Sequence, residues 1–261
     1  AEWETRRAEI QRRIRWALGE EPPGVPYNPS RTNMRAQSST SGGYLGMLFQ
    51  RPLRNPAIGG RRFAFGDDLT GDLYYPVNKE GRPAREGKWP VIIWLHPYSY
   101  STGYSRFTVG SFMQLIEKGF AVMAFDQIGF GSRANHGLRF YERYPRWSLL
   151  GKMVADTRAA ISGLSPLEEI DSSRIYLLGS ALGAKVALYT AALDDRVAGV
   201  ATACGFTPLR LYTPQKGTEG LRHYSHLHGL TPRFGFFSGQ EQRLPIDYDE
   251  ILAAVAPRPL Y

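Results

Sequence analysis

A mostly parallel α/β sheet with helices on both faces is the fold class predicted by this 261-residue sequence. The first observation is a set of short, unbroken apolar runs: "VIIWLH" (91–96), "FAVMAFD" (120–126), "RIYLLG" (174–179) and "VAGVATACG" (197–205). They have strand length and no polar alternation, as strands buried on both faces require. The second is that helical patterns separate them, which makes each pair a strand–helix–strand unit. The third is length, which suffices for one large domain with a substantial core.

The elements follow in chain order. Residues 3–18 place Trp3, Ile10, Ile14 and Leu18 on one helical face with arginines opposite, and Gly19 is the expected stop. Residues 20–43 are loop by composition, with "EEPPGVPYNPS" and "SSTSGG". Strand and turn patterns then begin with "YLGMLF" (44–49), "RRFAFG" (61–66) and "LTGDLYYPV" (69–77), followed by a charged Gly/Pro turn over 78–88. Helices are predicted over 107–119, 147–164 and 181–193. Residues 206–245 lack clear periodicity and read as a lid-like insertion. "DEILAAVAPRPLY" (249–261) reads as a helix, a proline break and the opening of another strand. The expected organisation is an N-terminal arm over 1–44 and one α/β domain over 45–261, its last strands falling beyond Tyr261.

Composition narrows the function classes. No apolar run approaches the ~20 residues that span a bilayer, so no membrane segment is expected. A single cysteine, Cys204, excludes an internal disulfide and a multi-cysteine metal site. The net charge of +8 is either a solvated arginine-rich surface or attraction to an acidic polymer such as a uronate-containing polysaccharide. Nucleic acid is not the expected partner: outside "RRAEIQRRIR" the basic residues are scattered, and no recognition motif accompanies them. His223, His226 and His228 cluster in "HYSHLH" without an acidic or cysteine ligand beside them, so a packed lid is expected rather than a metal. No cofactor is expected.

The informative stretch is "GSALGA" (179–184), between the strand "RIYLL" and the helix "KVALYTAAL". Strand, Gly-x-Ser-x-Gly, helix is a nucleophile elbow: the central residue sits in a sharp strained turn, glycines on either side avoid a clash, and the helix N-terminus faces a developing oxyanion. Here Gly179 and Gly183 are the glycines, and the central residue is Ala181. Ser180 is one step along the turn and points away from the nucleophile's direction. "WLHPYSY" (94–100) follows the first buried strand, with His96 read as fixing its loop, and "FDQIGFGSR" (125–133) follows the second.

With these residues the chain resembles α/β hydrolases, in particular bacterial esterases of the acetyl xylan esterase and dienelactone hydrolase kind, from about residue 60 to 261. "WSLLGKMVADTRAAISGL" and "DYDEILAAVAPRPLY" are also similar to that group. The resemblance implies that the N–H groups of Tyr98 and Leu182 form an oxyanion hole. It implies that Asp126 holds a turn, and it leaves Arg133 and His136 on the pocket side, in reach of substrate or in a solvated loop. It further implies a catalytic Asp and His after the strand opened by "APRPL", beyond Tyr261, in a remaining C-terminal segment.

The expected function is therefore a serine carboxylic-ester hydrolase for ester-decorated polysaccharide or a small ester, in a form lacking its nucleophile. Acetyl esters are the first choice and uronate methyl esters the second. The alternative is a natural non-catalytic carbohydrate-binding protein on the same fold, since alanine at 181 fits both. A secreted or periplasmic location is expected, because the sequence opens on Ala1 as a processed chain would.

Overall fold

The computed structural model describes residues 2–23, 58–66, 69–81, 87–99, 102–104, 108–211, 220–222, 225 and 229–261. The predicted strand 44–49 and the cluster His223, His226 and His228 lie outside them.

Six strands form one sheet: β1 (Ile58–Phe65), β2 (Leu69–Pro76), β3 (Trp89–Leu95), β4 (Ala121–Phe125), β5 (Ile170–Ser180) and β6 (Val197–Ala203). Their order is β1-β2-β4-β3-β5-β6. The antiparallel pairs are β1 with β2 and β2 with β4, while β4, β3, β5 and β6 are mutually parallel. The four apolar runs are thus the parallel centre, and β1 and β2 form an antiparallel edge.

Alternate residues of β3 face opposite layers, as a pleated strand dictates. Val91, Ile93 and Leu95 enter the larger core with Phe63, Phe125 and Leu177, whereas Trp94 joins Val122, Ala124 and Ile116 on the other face. The first layer is covered by α1 (Glu2–Leu18), α5 (Leu149–Leu164), α6 (Leu182–Leu193) and α7 (Tyr248–Val255). On the second face lies α2 (Thr108–Glu117).

Two details of the first helix differ from the sequence reading. Trp3 is 40% exposed, and Ile10, Ile14, Ala17 and Leu18 are the residues that bury. The arginines are not simply solvated: Arg7 Nε donates to the Ala254 carbonyl at 2.9 Å, and Arg13 pairs with Glu250 at 3.1 Å. Both tie α1 to α7. The start of α7 is fixed by a capping box between Asp247 and Glu250, and Asp247 also accepts the N–H groups of Leu209 and Arg210 at 2.9 Å. The described part of the 206–245 stretch is accordingly anchored, with Leu209, Leu221, Leu230, Phe234 and Leu244 in the main core. Residues 259–261 lie along β6: Val200 N–H donates to the Pro259 carbonyl and Tyr261 N–H to the Val200 carbonyl. Residues 134–143, to which the sequence reading assigns no element, form two short helices, α3 (Ala134–Leu138) and α4 (Phe140–Arg143).

Candidate active site

In a parallel sheet, ligands are taken at the carboxyl ends of the strands. Here β5 ends at Ser180, whose neighbour on β6 is Ala203, and the Ala181 N–H donates to the Ala203 carbonyl at 2.9 Å. The chain then reverses into α6 through a single residue. Ala181 has φ 48° and ψ −110°, a backbone conformation that an L-residue with a Cβ adopts only at a cost of roughly 1–3 kcal/mol. It is half-buried. Ser180 is likewise half-buried, but it belongs to the strand ladder.

Both glycines of the motif are dictated by contact rather than by dihedral freedom. A Cβ on Gly179 would stand 2.5 Å from the Ala184 nitrogen and closer still to the Gly183 carbonyl. A Cβ on Gly183 would stand 2.5 Å from the Leu95 carbonyl carbon and 2.9 Å from the His96 oxygen. The first turn of α6 is therefore pressed onto the end of β3. That contact brings Leu182, the first residue of the helix, beside the loop 96–99. The N–H of a first-turn residue has no partner four residues back in the helix, so it is a donor available to a ligand by construction.

The loop 96–99 is held by a buried histidine. The Gln127 backbone N–H donates to His96 Nε2 at 3.0 Å, which leaves the proton on Nδ1; that nitrogen lies 2.7 Å from the Pro97 carbonyl and 3.1 Å from Ser99 Oγ. Gln127 Nε2 closes the link by donating to the His96 carbonyl at 3.0 Å. Burial lowers the His96 pKa, outweighing the opposing influence of the Pro97 carbonyl and of Asp126, so the ring is neutral. Nδ1 is engaged within the loop and Nε2 by the Gln127 N–H after β4, so this is a positioning group. Tyr98 is half-buried, its ring edge-on to Phe130 with centroids 6.0 Å apart.

Asp126 ends β4 in a cradle of two glycines. Its carboxylate accepts the N–H groups of Tyr104 (2.9 Å) and Ser132 (2.8 Å) and the Ser132 hydroxyl (2.8 Å). A Cβ on Gly103 or Gly131 would collide with that carboxylate, and both glycines have positive φ. Arg133 turns inward. Its guanidinium is buried, donates to the Asp126 carbonyl at 3.0 Å and stands 2.8 Å from Asp156 Oδ2. Of the two expectations for Arg133, reach of substrate or a solvated loop, the solvated one is replaced by an internal ion pair. His136 is exposed on α3.

The sequence reading missed several residues here. Gln127 and Ser99 fix His96, and nothing in "DQIGFG" or "HPYSY" marks them beyond their place at strand ends. Lys185 is 1% exposed one helical turn beyond Ala181, where the helical pattern alone predicts an ordinary surface lysine. Cys204, also at positive φ (51°), is exposed at the end of β6 beside the elbow. Among the described residues no cluster of three metal-ligating side chains occurs, and no helix is long and apolar enough to cross a membrane.

The comparisons with known proteins agree with this architecture. The family model described as glucuronyl esterase, fungi, matches residues 77–261. A putative hydrolase of Bacillus subtilis, YtaP, is 26% identical over 207 residues, covering 74% of this chain and 64% of its own. A glucuronoyl esterase from Solibacter usitatus shares the fold with a TM-score of 0.69 at 17% identity, over 99% of this chain and 74% of that one. Another, from Teredinibacter turnerae, gives 0.65 at 16% identity, over 99% and 66%. The chain thus spans about two thirds, or slightly less, of the length of the Bacillus and Teredinibacter relatives.

Proposed function

Because this chain belongs to the glucuronyl esterase family, we propose that it is a carbohydrate carboxylic-ester hydrolase scaffold whose nucleophile position is held by Ala181. The observation that carries this reading is the conformation of Ala181. An alanine gains nothing from φ 48°, and a packing turn would relax to glycine or to an ordinary dihedral. The turn carries residue 181 off the end of β5 immediately before α6, whose second residue, Gly183, packs against the Leu95 and His96 backbone that leads to Tyr98.

With serine at that place, its hydroxyl would attack an ester carbonyl and give up its proton to a general base. The carbonyl oxygen, now negative, would accept from the Leu182 and Tyr98 N–H groups. Collapse would break the ester C–O bond and release the alcohol, and water would then release the acid. The base and its orienting carboxylate are expected after the strand that opens near Leu260. His96 does not supply the base, since Nδ1 is committed to its own loop and Nε2 to the Gln127 N–H after β4. With a methyl group at 181 the acyl-enzyme cannot form.

The family moves the uronate ester, the second choice on sequence, ahead of the acetyl ester. The alternative, a carbohydrate-binding protein that has shed catalysis, is supported by the same alanine. One experiment separates them: the full-length protein carrying Ala181→Ser, beside the alanine form, assayed on a benzyl glucuronate ester, acetylated xylan and an aryl acetate. Hydrolysis by the serine form alone, fastest on the glucuronate ester, is the expected result. No hydrolysis by either form, with oligosaccharide still bound, would overturn the esterase reading in favour of the binding protein.

A further inference from the structure

A second feature of the same sheet end is a groove of about 890 Å³ beyond the Asp126 turn, between the start of β2 and the helices α3 and α4. Four cationic side chains line it, Arg133, Arg139, Arg143 and Lys152, against one carboxylate, Glu142. Several arginines elsewhere are absorbed by structure: Arg7 pairs with Asp195, Arg61 with Glu169, Arg196 with Asp194 and Arg210 with Glu250.

In the groove the neutralisation is incomplete. One buried carboxylate, Asp156, is shared by Arg133 and Lys152. Arg133 Nε is buried with no hydrogen-bond partner among the described residues. Arg139 pairs with Glu142 at 2.8 Å, both largely exposed. Arg143 lies over the Tyr144 ring at 5.1 Å and has no carboxylate partner among the described residues.

An excess of cationic over carboxylate side chains along a groove, with Arg139 and Arg143 exposed in it, is an arrangement that the carboxylate of a ligand completes. The remaining lining narrows the ligand. Leu69, Ile128 and Phe140 give an apolar base, and Thr70 and Asn135 give neutral hydrogen-bonding groups around it. This suits a polyhydroxylated ring bearing an acid. The groove opens at the start of β2, three strand spacings from β5 in the order β2-β4-β3-β5, so it and the elbow lie roughly 14 Å apart, within the span of one oligosaccharide.

The geometry points to a subsite for a free uronate residue of an acidic polysaccharide, separate from the ester being attacked. This rests on the carbohydrate reading above but is measured without turnover. The test is isothermal titration calorimetry of the full-length Ala181 protein with hexagalacturonate, with neutral xylohexaose and with a single-stranded oligonucleotide. Two double variants remove equal charge from exposed positions: Arg139→Ala/Arg143→Ala in the groove and Arg12→Ala/Arg15→Ala on α1.

Hexagalacturonate is expected to bind at least tenfold more tightly than xylohexaose. The groove variant should lose about tenfold in that affinity, and the α1 variant less than twofold. Equal losses in the two variants would reduce the effect to net charge and overturn the subsite. So would equal affinity for the neutral sugar, or tighter binding of the oligonucleotide through the same arginines. Failure of hydrolysis by Ala181→Ser leaves this result untouched, and loss of uronate binding leaves the ester assay untouched, so the two readings fail separately.

Discussion

Gly183→Ala is the sharpest probe of how the elbow is assembled. In an open helix the substitution is favourable by about 1 kcal/mol, because alanine loses less backbone freedom than glycine. At 183 the new methyl would stand 2.5 Å from the Leu95 carbonyl carbon and 2.9 Å from the His96 oxygen, with the Leu95 oxygen nearer still. All of these are backbone atoms at the end of β3, a strand held between β4 and β5, so no flexible side-chain tip can move aside. Carbon contacts settle near 3.5–4.0 Å, so α6 must withdraw by about 1 Å. Overpacking of that kind costs roughly 1–3 kcal/mol and exceeds the helical gain at the upper end. The net loss is about 2 kcal/mol, a fall of roughly 4–8 °C in Tm for a chain of this size. Gly119→Ala is the control: its φ is +86° but nothing lies within 4 Å of the added carbon, so only dihedral strain of about 1 kcal/mol remains. Thermal and urea unfolding of the two variants provide the comparison. In the Ala181→Ser background, Gly183→Ala should also lower kcat about tenfold with KM little changed, because it shifts the Leu182 N–H away from the loop of Tyr98. A Gly183→Ala protein at or above the parent Tm would refute the close approach of α6 to β3, and with it the argument that this contact assembles the site.

Two further outcomes are expected. Ala181→Gly removes the Cβ from a positive-φ position and should raise stability by up to about 1 kcal/mol despite the added freedom of the unfolded chain; a loss of more than 1 kcal/mol in urea unfolding would mean the turn is not strained. His96 is held neutral by burial, with its folded pKa below the unfolded value near 6.5. Between those two values the unfolded chain binds the extra proton, so this contribution is complete above about pH 6.5 and is lost as pH falls below it. Unfolding free energies at pH 7.5 and 5.5 should converge less steeply for His96→Gln than for the parent, by up to about 1.4 kcal/mol per pH unit. Identical slopes would place the histidine outside the buried network.

The parts of the fold that follow from local periodicity were legible in the chain. The four buried strands need only a run of apolar residues, and α5 and α6 need only helical spacing, so their existence did not depend on what they touch. The arginines of α1 were not legible for the opposite reason. A basic residue at a helical surface position looks the same whether it faces water or the Ala254 carbonyl, as Arg7 does, and only the packing of α7 decides. Arg133 is the same case inside a loop: "GFGSR" does not reveal that Asp156, 23 residues later on α5, waits opposite. The short helices α3 and α4 escaped because neither spans the two turns over which a period can be seen.

At the elbow the two kinds of information divide differently. On the proposed reading, the spacing of Gly179, Ala181 and Gly183 marks the nucleophile's place, and contact geometry forces those glycines whatever stands between them. It does not show whether the turn has relaxed once the hydroxyl is absent. Glycine at 181 would reach φ 48° freely, and a sequence released from that geometry would meet no chemical resistance to adopting it. Alanine keeps the side-chain direction of serine and bears the same backbone cost without the reaction that would justify it. On the esterase reading proposed above, residue 181 keeps the shape of a nucleophile position without its hydroxyl, and restoring one oxygen atom is the smallest perturbation that can distinguish a silenced esterase from a binding protein.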